Sequence, residues 1–482
     1  MTLHEAGVRD GMVDSLKFGT SGLRGLASEL VGDAARRHTA AFLRHLEKRN
    51  TAGYSRVFIA RDLRDSSSAI AADCAMAIRA AGLTPVDCGV LPTPALALHA
   101  MTEGGPAIMV TGSHIPADRN GLKFYTPQGE ITKEDELGIL GALVDAVSAE
   151  VTADAEDGFA AAGDRYRQRY RKFLAPDALS SWRIGVFEHS SAAREHLCSL
   201  LYRANASVVR LGRADSFVPV DTEAVSDAIY APRHGWIANQ HLDAIVSTDG
   251  DGDRPLIIDA KGNFIRGDVI GLITARFLGA GTVVTPVTSN SAIEALGAFR
   301  AVTRTKVGSP FVIEGMEEAA HTGGTVVGFE ANGGTLLGTD VEIDGLTLGR
   351  LPTRDAILPI LCVLASAARE RKSLADLVAG LSVKPALSDR LAGVPSEVGA
   401  AFAARLGAEP EHARAFFSGI GTVETVSVVD GPRFTLRSGE IIHYRPSGNA
   451  PELRCYVEGK TQDRAEMLLS WGLDAAATAI RG

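Results

Sequence analysis

The stretch Arg56-Val57-Phe58-Ile59-Ala60, followed by the alanine-rich Ser66 to Ala81, decides the fold class of this chain. The apolar run predicts a buried strand, and the alanine-rich stretch predicts the helix that follows it. The same order recurs at two further places, Arg183 to Phe187 followed by Ala192 to Ala204, and Thr282 to Thr285 followed by Ala292 to Phe299. Recurrence at intervals of about 100 to 130 residues is too long for a solenoid and predicts three similar α/β domains.

Small hydroxyl residues precede each predicted helix. They are Ser66 before the first helix, Ser190 and Ser191 before the second, and Ser289 and Ser291 before the third. Because serine side chains accept hydrogen bonds from free backbone N–H groups, we expect these residues to cap the helices.

The C-terminal part has a different pattern. The β-branched run Thr422 to Val429, then Arg433 to Leu436 and Glu440 to Tyr444, predict a hairpin-like sheet that ends in a helix at Ala465 to Ile480. This predicts a fourth, α+β domain. The Ala, Asp and Gly-rich stretch 153–163 is expected to be a linker before a charged amphipathic helix. We therefore predict domains at 1–150, 165–268, 269–375 and 384–482.

Composition excludes several classes of protein. The chain has 482 residues, 45% hydrophobic and 22% charged, with a net charge of -9. This charge argues against a nucleic-acid binder, although a local basic pocket can still hold a phosphorylated small molecule. The five scattered cysteines lack CxxC spacing, so we expect reduced, buried thiols in a cytoplasmic protein. We expect no signal peptide and no membrane span.

One candidate nucleophile stands at Ser113, in Thr111-Gly112-Ser113-His114-Ile115-Pro116, directly after the apolar run 108–110. A hydroxyl at the end of a buried strand, beside a glycine that lets a phosphate approach, is positioned to carry a covalent group. His114 and Lys123 supply groups for proton transfer or phosphate contact. Taken alone, Ser113 is better explained as an N-terminal helix cap.

A candidate metal loop follows the apolar residues 244–246. It reads Asp249-Gly250-Asp251-Gly252-Asp253-Arg254, and its alternating carboxylates suit a hard cation such as Mg²⁺. An EF-hand is excluded, because the sixth position is Arg254 instead of Gly and the twelfth is Ala260 instead of Glu. The alternative is a solvated acidic turn.

Two more loops combine glycine, hydroxyl and arginine groups. Phe18 to Gly25 contains Arg24, and Arg445-Pro446-Ser447-Gly448-Asn449-Ala450-Pro451 contains guanidinium, hydroxyl and amide donors. Both can offer backbone N–H groups and a fixed charge to a phosphate. Each can also be an ordinary turn.

These four loops, in this order along nearly the whole chain, closely resemble the four signatures of the α-D-phosphohexomutase family, most of all its bacterial phosphomannomutase and phosphoglucomutase branches. The resemblance implies four domains around a central cleft, each contributing one loop. It also implies that Ser113 is the phosphoserine and that Ser113, Asp249, Asp251 and Asp253 ligate Mg²⁺.

The resemblance implies roles for further residues. Arg24, His114, Lys123 and Arg254 match positive positions of the active site, with Arg24 and Lys123 as candidates for proton transfer. A phosphate of the substrate is expected to bind at four residues of the C-terminal loop, Arg445, Ser447, Gly448 and Asn449.

The sugar-binding loop of the third domain is expected at Gly328-Phe329-Glu330-Ala331-Asn332-Gly333-Gly334. Many relatives have Gly-Glu-x-Ser-Gly followed by His or Asn, whereas here Asn332 replaces the serine and Gly334 stands where His would be. Glu330 and Asn332 can still hold adjacent sugar hydroxyls. Lys306 is expected to be a further substrate contact.

We therefore expect a phosphohexomutase that interconverts mannose 6-phosphate and mannose 1-phosphate through a phosphoserine and a hexose 1,6-bisphosphate, which also serves as activator. The alternatives are phosphoglucomutase or dual specificity, then phosphoglucosamine mutase. A metal-dependent phosphatase and a non-catalytic sugar-phosphate binding protein are alternatives of other classes. Its partner is a small sugar phosphate, without nucleic acid or membrane, and we expect a monomer or weak homodimer.

Overall fold

A computed structural model describes residues 15–19, 22–49, 53–143, 152, 154–223, 227–447 and 451–481. A mixed sheet organises the N-terminal part. Its elements, in chain order, are β1 Lys17–Phe18, β2 Leu23–Leu26, α1 Ala27–Leu30, α2 Asp33–Lys48, β3 Arg56–Arg61, α3 Ser67–Ala80, β4 Thr84–Val90, α4 Thr93–Glu103, β5 Ala107–Val110, β6 Arg119–Thr126, β7 Gly129–Glu130, α5 Lys133–Gly141 and β8 Glu156–Asp157. The strand order is β1-β2-β6-β5-β3-β4-β8, and β7 pairs with β6.

A second sheet follows, with strand order β10-β9-β11-β12. The elements of this part are α6 Phe159–Tyr170, β9 Arg183–His189, α7 Arg194–Arg203, β10 Ser207–Arg213, α8 Asp227–Tyr230, α9 Arg233–Gln240, β11 Ala244–Thr248, β12 Pro255–Asp259 and α10 Gly267–Phe277.

The third sheet has the order β14-β13-β15-β16-β19, beside a separate β17-β18 hairpin. Its elements are β13 Thr282–Pro286, α11 Ala292–Ala295, β14 Ala301–Thr305, α12 Ser309–Ala320, β15 Val326–Phe329, β16 Thr335–Leu337, β17 Val341–Ile343, β18 Leu346–Leu348, β19 Leu351–Asp355, α13 Ile357–Glu370 and α14 Leu374–Ala379.

The last sheet is antiparallel throughout, in the order β20-β24-β23-β22-β21. Its elements are β20 Ala386–Ala392, α15 Ser396–Ala408, α16 Pro410–Phe417, β21 Val423–Ser427, β22 Arg433–Leu436, β23 Ile441–Pro446, β24 Glu452–Glu458 and α17 Gln462–Arg481.

The first three sheets share one strand pattern. In each, a central strand lies parallel to two neighbours: β3 between β4 and β5, β9 between β10 and β11, and β13 between β14 and β15. An antiparallel strand then pairs with the third of them, as β6 with β5, β12 with β11 and β16 with β15. The predicted fold class, three similar α/β units and an α+β unit, is confirmed.

This repeated pattern places the candidate loops. The segments 111–118, 249–254 and 330–334 each connect the third parallel strand of a sheet to its antiparallel partner. Since the carboxyl ends of parallel strands lie at one edge of a sheet, the three loops occupy equivalent edges of the three repeats.

Packing distinguishes the last unit from the rest. A single hydrophobic core runs through the first three units, from Phe58 and Ala107 to Ile270 and Ile357. The last unit packs around its own core, with Phe417, Phe434 and Tyr444 at its centre. It is therefore a separate packing unit, and the exact boundaries of the four predicted domains stay a prediction.

The stretch 153–163 is not only a linker, as the sequence had suggested. Glu156 and Asp157 pair with β4, and helix α6 begins at Phe159. The alanines 160–162 favour the helix because alanine has the strongest helix propensity. The buried face of α6 carries Tyr166 and Tyr170, whose hydroxyls donate to Asp355 at 2.8 and 2.5 Å.

The predicted serine caps are mostly wrong. Ser66 and Ser291 stand at the starts of α3 and α11 but make no side-chain bond to a helix N–H. The hydroxyl of Ser291 donates instead to Glu458 of the last sheet, at 2.5 Å. Ser191 does accept from the N–H of Ala193, at 3.0 Å. Tertiary partners therefore take the place of most local caps; Ser66, for example, accepts from Asn120 Nδ2 at 2.8 Å. Among the described helices, none is long and apolar enough to cross a membrane.

Candidate active site

Ser113 lies in the turn after β5 and points at the metal loop of the second sheet. Its Oγ donates to Asp249 Oδ2 at 2.6 Å, and its backbone N–H donates to Thr111 Oγ1 at 2.7 Å. The residue is buried and has a left-handed backbone, with φ of 55°. Because the chain continues to strand β6 and not to a helix, the helix-cap interpretation of Ser113 is excluded.

Arg64, which follows strand β3, binds the backbone of the Ser113 turn. The sequence analysis did not identify this residue. Its guanidinium donates to four backbone carbonyls of the turn, those of Ser113 at 3.0 Å, Ile115 at 2.6 Å, Pro116 at 2.6 Å and Arg119 at 2.8 Å. Asp62 accepts from Arg64 Nε at 3.2 Å and from Thr111 Oγ1 at 2.7 Å.

The same guanidinium also contacts the second unit. The Arg64 Cζ atom lies 3.9 Å from the ring centroid of Phe217, a cation–π contact. A side chain at Gly112 would not fit, since its Cβ would stand 2.7 Å from Arg64 Cζ. Arg64 therefore ties the Ser113 turn to both the first and the second unit.

The carboxylates of Asp249, Asp251 and Asp253 form a buried cluster in which one oxygen of each lies within 4.8 Å of the others. Oδ1 of Asp251 and Oδ1 of Asp253 are buried and have no hydrogen-bond partner among the described residues. Burial, together with Asp251 and Asp253, raises the pKa of Asp249 well above its ordinary value. Unpartnered oxygens among crowded like charges fit a hard divalent cation, which would neutralise them.

Lys123 and Thr93 complete the surroundings of this cluster. Lys123 Nζ donates to Asp251 Oδ2 at 2.6 Å and to Asp253 Oδ2 at 2.7 Å. Although burial lowers it, these two carboxylates raise the pKa of Lys123 overall. Thr93, at the start of α4, donates its hydroxyl to Asp251 Oδ2 at 2.5 Å. Residues of the first sheet thus fix the metal loop of the second.

His114 and Arg24 face the cavity from the first unit. His114 Nδ1 lies 3.4 Å from Ser113 Oγ, and burial with the nearby Arg254 lowers the pKa of His114 to about 2. Burial, with Arg254 and Arg354, lowers the pKa of Arg24 to about 10. His114 is therefore neutral at physiological pH, and Arg24 is charged but loses its proton more readily than an ordinary arginine.

The loop after β15 presents Glu330 and Asn332, both buried. Hydrogen bonds from Glu330 N to Gly334 O at 3.1 Å, and from Gly333 N to Glu330 O at 2.9 Å, close it into a tight turn. Arg354 of β19, which the sequence analysis also missed, donates to Glu330 Oε2 at 3.0 Å.

The C-terminal loop reaches the same space from the last sheet. Arg445 Nε donates to Asp430 Oδ2 at 2.7 Å, and the N–H of Val307 donates to the same oxygen at 3.0 Å. Asp430 therefore joins Arg445 to the third unit. Ser447 follows β23 and is buried, while Gly448 and Asn449 lie outside the described residues.

A cavity of about 370 Å³ is lined by some of these groups, whereas Ser113, Lys123 and the three aspartates are not among its lining residues. Its lining includes His114, Glu330, Asn332 and Ser447, and it carries arginines from every unit, Arg24, Arg254, Arg266, Arg354, Arg433, Arg445 and Arg454. Lys306 is not among the lining residues; it is exposed, and its Nζ lies 5.6 Å from the ring of Phe311. An acidic protein thus encloses a basic pocket of a size that suits a small phosphorylated molecule.

Comparison with known proteins agrees with this geometry. A family model described as Phosphoglucomutase/phosphomannomutase, alpha/beta/alpha domain I matches residues 15–148, and the corresponding domain III model matches 266–383. A protein of Sinorhizobium fredii named phosphomannomutase is 48% identical over 465 residues, 95% of this chain and 98% of that protein. The chain belongs to the α-D-phosphohexomutase family.

Other phosphohexomutase relatives are similar along their whole length. A Salmonella muenchen protein named phosphomannomutase is 43% identical and covers 93% of each chain. The crystal structure of a phosphoglucomutase/phosphomannomutase family protein from Burkholderia thailandensis has the same fold, with a TM-score of 0.73 at 20% identity, over 96% of this chain and 97% of that one.

Within this phosphohexomutase fold, the residues that the sequence analysis missed carried a weak signal. Asp62 and Arg64 stand immediately after a predicted strand, where the edge of a parallel sheet collects functional groups. Arg354 likewise ends β19 beside Asp355. None of these three residues lies in a glycine-rich loop, so only their contacts in the folded structure identify them.

Proposed function

We propose that this protein is a phosphomannomutase that interconverts mannose 6-phosphate and mannose 1-phosphate, with Ser113 carrying the transferred phosphoryl group. One observation carries the proposal: the buried Ser113 hydroxyl lies 2.6 Å from Asp249 Oδ2, beside a cavity lined by arginines of all units. Relatives at 48% and 43% identity that are named phosphomannomutase support mannose, and proteins named phosphoglucosamine mutase are more distant, at 28%.

The reaction balances around Ser113. The bond from phosphorus to Ser113 Oγ breaks while a bond from phosphorus to a sugar hydroxyl oxygen forms, and that hydroxyl gives up its proton. The product is a hexose 1,6-bisphosphate. The Ser113 oxygen that loses phosphorus takes up a proton. After the intermediate has turned around, the Ser113 hydroxyl gives up that proton and accepts the other phosphoryl group, and the sugar oxygen that loses phosphorus takes up a proton.

Two cationic residues are our candidates for these proton transfers. Arg24 lines the cavity, and its lowered pKa favours a role as proton acceptor. Lys123 is held as an ammonium by Asp251 and Asp253, so it is better suited to donate a proton than to accept one. His114, which is neutral, can orient the Ser113 oxygen through Nδ1.

Asp249, Asp251 and Asp253, with an oxygen of the phosphorylated Ser113, would hold Mg²⁺. When bound, the ion would neutralise charge on the phosphoryl oxygens during transfer. We also propose that a hexose 1,6-bisphosphate activates the enzyme by phosphorylating Ser113. The unpartnered Oδ1 atoms of Asp251 and Asp253 support the metal site.

Arg445 and Ser447, together with Gly448 and Asn449, would hold the phosphate that is not being transferred. Because the last unit has its own core, it can move without disturbing the core of the other three. Such motion allows the bisphosphate to turn around in an enclosed cavity, which limits hydrolysis of the phosphoserine.

The substitution Ser113→Ala tests the proposal. Intact-mass analysis after incubation with glucose 1,6-bisphosphate should find one phosphate on the wild type and none on S113A, and S113A should lose nearly all mutase activity. Ser289→Ala is the matched control, because Ser289 is also a buried serine in the loop after a parallel strand, β13, but is not among the residues that line the cavity. Full activity of S113A would overturn the proposal.

One assay separates the alternatives. Mannose, glucose and glucosamine phosphates compete in the same reaction, and the preferred sugar identifies a phosphomannomutase, phosphoglucomutase or phosphoglucosamine mutase. Net release of inorganic phosphate without isomerisation would indicate a phosphatase instead.

The setting of the enzyme is also a proposal. All five cysteines are free and buried, which supports a reducing, cytoplasmic environment. A monomer or weak homodimer stays a prediction that light scattering tests.

A further inference from the structure

Arg354 joins the metal loop to the sugar-binding loop. Its side chain is only 3% exposed. Nη2 and Nε donate to Asp253 Oδ2 at 2.9 and 3.1 Å, and Nη1 donates to Glu330 Oε2 at 3.0 Å. One planar guanidinium therefore sets the distance between two carboxylates that belong to different sheets.

Gly334 leaves the room that this guanidinium needs. A Cβ at residue 334 would stand 2.6 Å from Cδ and 2.9 Å from Cγ of Arg354, and 3.0 Å from Asn332 Oδ1. The backbone of Gly334 does not have a positive φ, so space and not conformation requires the glycine here. Gly334 and the Arg354 side chain are thus one steric unit, and a side chain at residue 334 would displace the arginine.

The contact to Glu330 leaves one carboxylate oxygen for a ligand. Oε2 accepts from Arg354 and, at 3.5 Å, from Asn332 Nδ2, whereas Oε1 receives no hydrogen bond from the described residues. Glu330 and Asn332 both line the cavity. Asn332 is fixed in turn, because its Oδ1 accepts from Gly334 N at 2.9 Å.

We propose that Arg354 is the positioning residue that sets sugar specificity: by holding Oε2 of Glu330, it directs Oε1 toward the ring hydroxyls of the substrate. Gly334 is part of the same arrangement, because the absence of a side chain at residue 334 leaves space for Arg354. This inference rests on the proposed function, since it concerns which hexose phosphate the mutase prefers. Arg354 acts through Glu330 and is not assigned a chemical step.

The test uses charge-preserving and steric variants of the full-length protein. Lysine at position 354 keeps the positive charge but cannot donate to Asp253 and Glu330 in one plane. We expect Arg354→Lys to lower kcat/KM for mannose 1-phosphate by about tenfold to hundredfold, mainly through KM, as expected for a lost charged hydrogen bond. The ratio of kcat/KM for mannose 1-phosphate to that for glucose 1-phosphate should change by about fivefold or more.

Gly334→Ala tests the steric part without removing a charge. It should lower activity and change the sugar ratio as R354K does. In the background of Arg354→Ala, the added methyl group at residue 334 should cost less than in the wild type, because its two shortest contacts, to Cδ and Cγ, are gone and only the 3.0 Å contact to Asn332 Oδ1 remains. Additive losses in the double variant would contradict the steric link.

Arg350→Lys is the matched control, since Arg350 directly precedes the same strand but is exposed and, within the described part of the chain, forms an ion pair only with Glu317, at 3.5 Å. Phosphorylation of Ser113 by intact mass and the Mg²⁺ concentration for half-maximal rate are measured on every variant. The inference is overturned if R354K has the same sugar ratio as R350K. It is also overturned if only the Mg²⁺ requirement of R354K changes. A wild type that isomerises neither hexose phosphate overturns the proposed function itself.

Discussion

Removing the guanidinium of Arg64 should both destabilise the protein and misplace Ser113, the proposed phosphoryl carrier. Arg64 and Asp62 are fully buried, and their ion pair spans 3.2 Å. Arg64→Met leaves the Asp62 charge buried without its partner, and such a loss costs about 3–5 kcal/mol. Arg61→Met, three residues earlier, removes a pair with Asp87 whose side chains are 22% and 45% exposed, which costs about 1 kcal/mol or less.

Lysine at position 64 separates stability from catalysis. An ammonium has three donors on a flexible stem, so it cannot reach the four carbonyls that the guanidinium now binds. The charge opposite Asp62 remains, and we therefore expect R64K to lose less stability than R64M. Because displacement of a reacting group by about 1 Å can cost about a hundredfold in rate, kcat of R64K should fall by about that factor.

Urea unfolding followed by circular dichroism measures the stability of R64M, R64K and R61M, and a coupled mutase assay measures kcat. Intact mass after treatment with glucose 1,6-bisphosphate reports whether the Ser113 turn still accepts phosphate. If R64M were as stable as R61M, or if R64K kept wild-type kcat, the reasoning about this turn would be refuted.

Two further predictions concern the metal loop and the response to acid. Asp251→Asn should weaken binding of Mg²⁺ by about tenfold or more in calorimetric titration, whereas Asp243→Asn, before the same strand β11, should leave it unchanged; equal affinities would contradict the metal site. Burial raises the pKa of Asp135, but hydrogen bonds from His45, Thr132 and Arg49 outweigh this effect and hold the pKa below its ordinary value. The ionised carboxylate therefore stabilises the fold when the pH is above that ordinary pKa. Asp135→Asn should therefore lower the urea midpoint at pH 7, and the difference from wild type should shrink as the pH falls below about 4; a difference that grows on acidification would exclude this role.

Local sequence predicted much of the site because its chemistry is carried by short loops. Ser113 and Asp249 are 136 residues apart, yet each was identified within its own segment, and the structure joins them by one hydrogen bond. The repeated strand-helix order similarly predicted three related sheets. The position of Lys306 was less well predicted, since the neighbouring Val307 and not Lys306 lines the cavity.

Two failures of the sequence analysis have different causes, a distant partner and a local glycine. Ser291 was expected to cap a helix, but Glu458 of the last sheet takes its hydroxyl. The helix after it ends at Ala295 and not at Phe299, shortly before Gly297, which has a φ of 62°. A local structural preference contributes less free energy than a tertiary hydrogen bond to a charged group, so at Ser291 the tertiary bond forms instead of the cap.

The fold class, the Ser113 turn and the Asp249–Asp253 loop could be predicted from the sequence, because periodicity and glycine-rich loops are local properties of the chain. The positions of these parts relative to one another depend on side-chain contacts that form only in the folded protein. Arg64 and Arg354 are unremarkable in the sequence, and they acquire roles when strands from separate repeats bring carbonyl and carboxylate oxygens around their guanidinium groups. The arginine side chain has five N–H donors, so its role depends on the acceptors that the fold places around it. Those acceptors belong to residues that are far away along the chain.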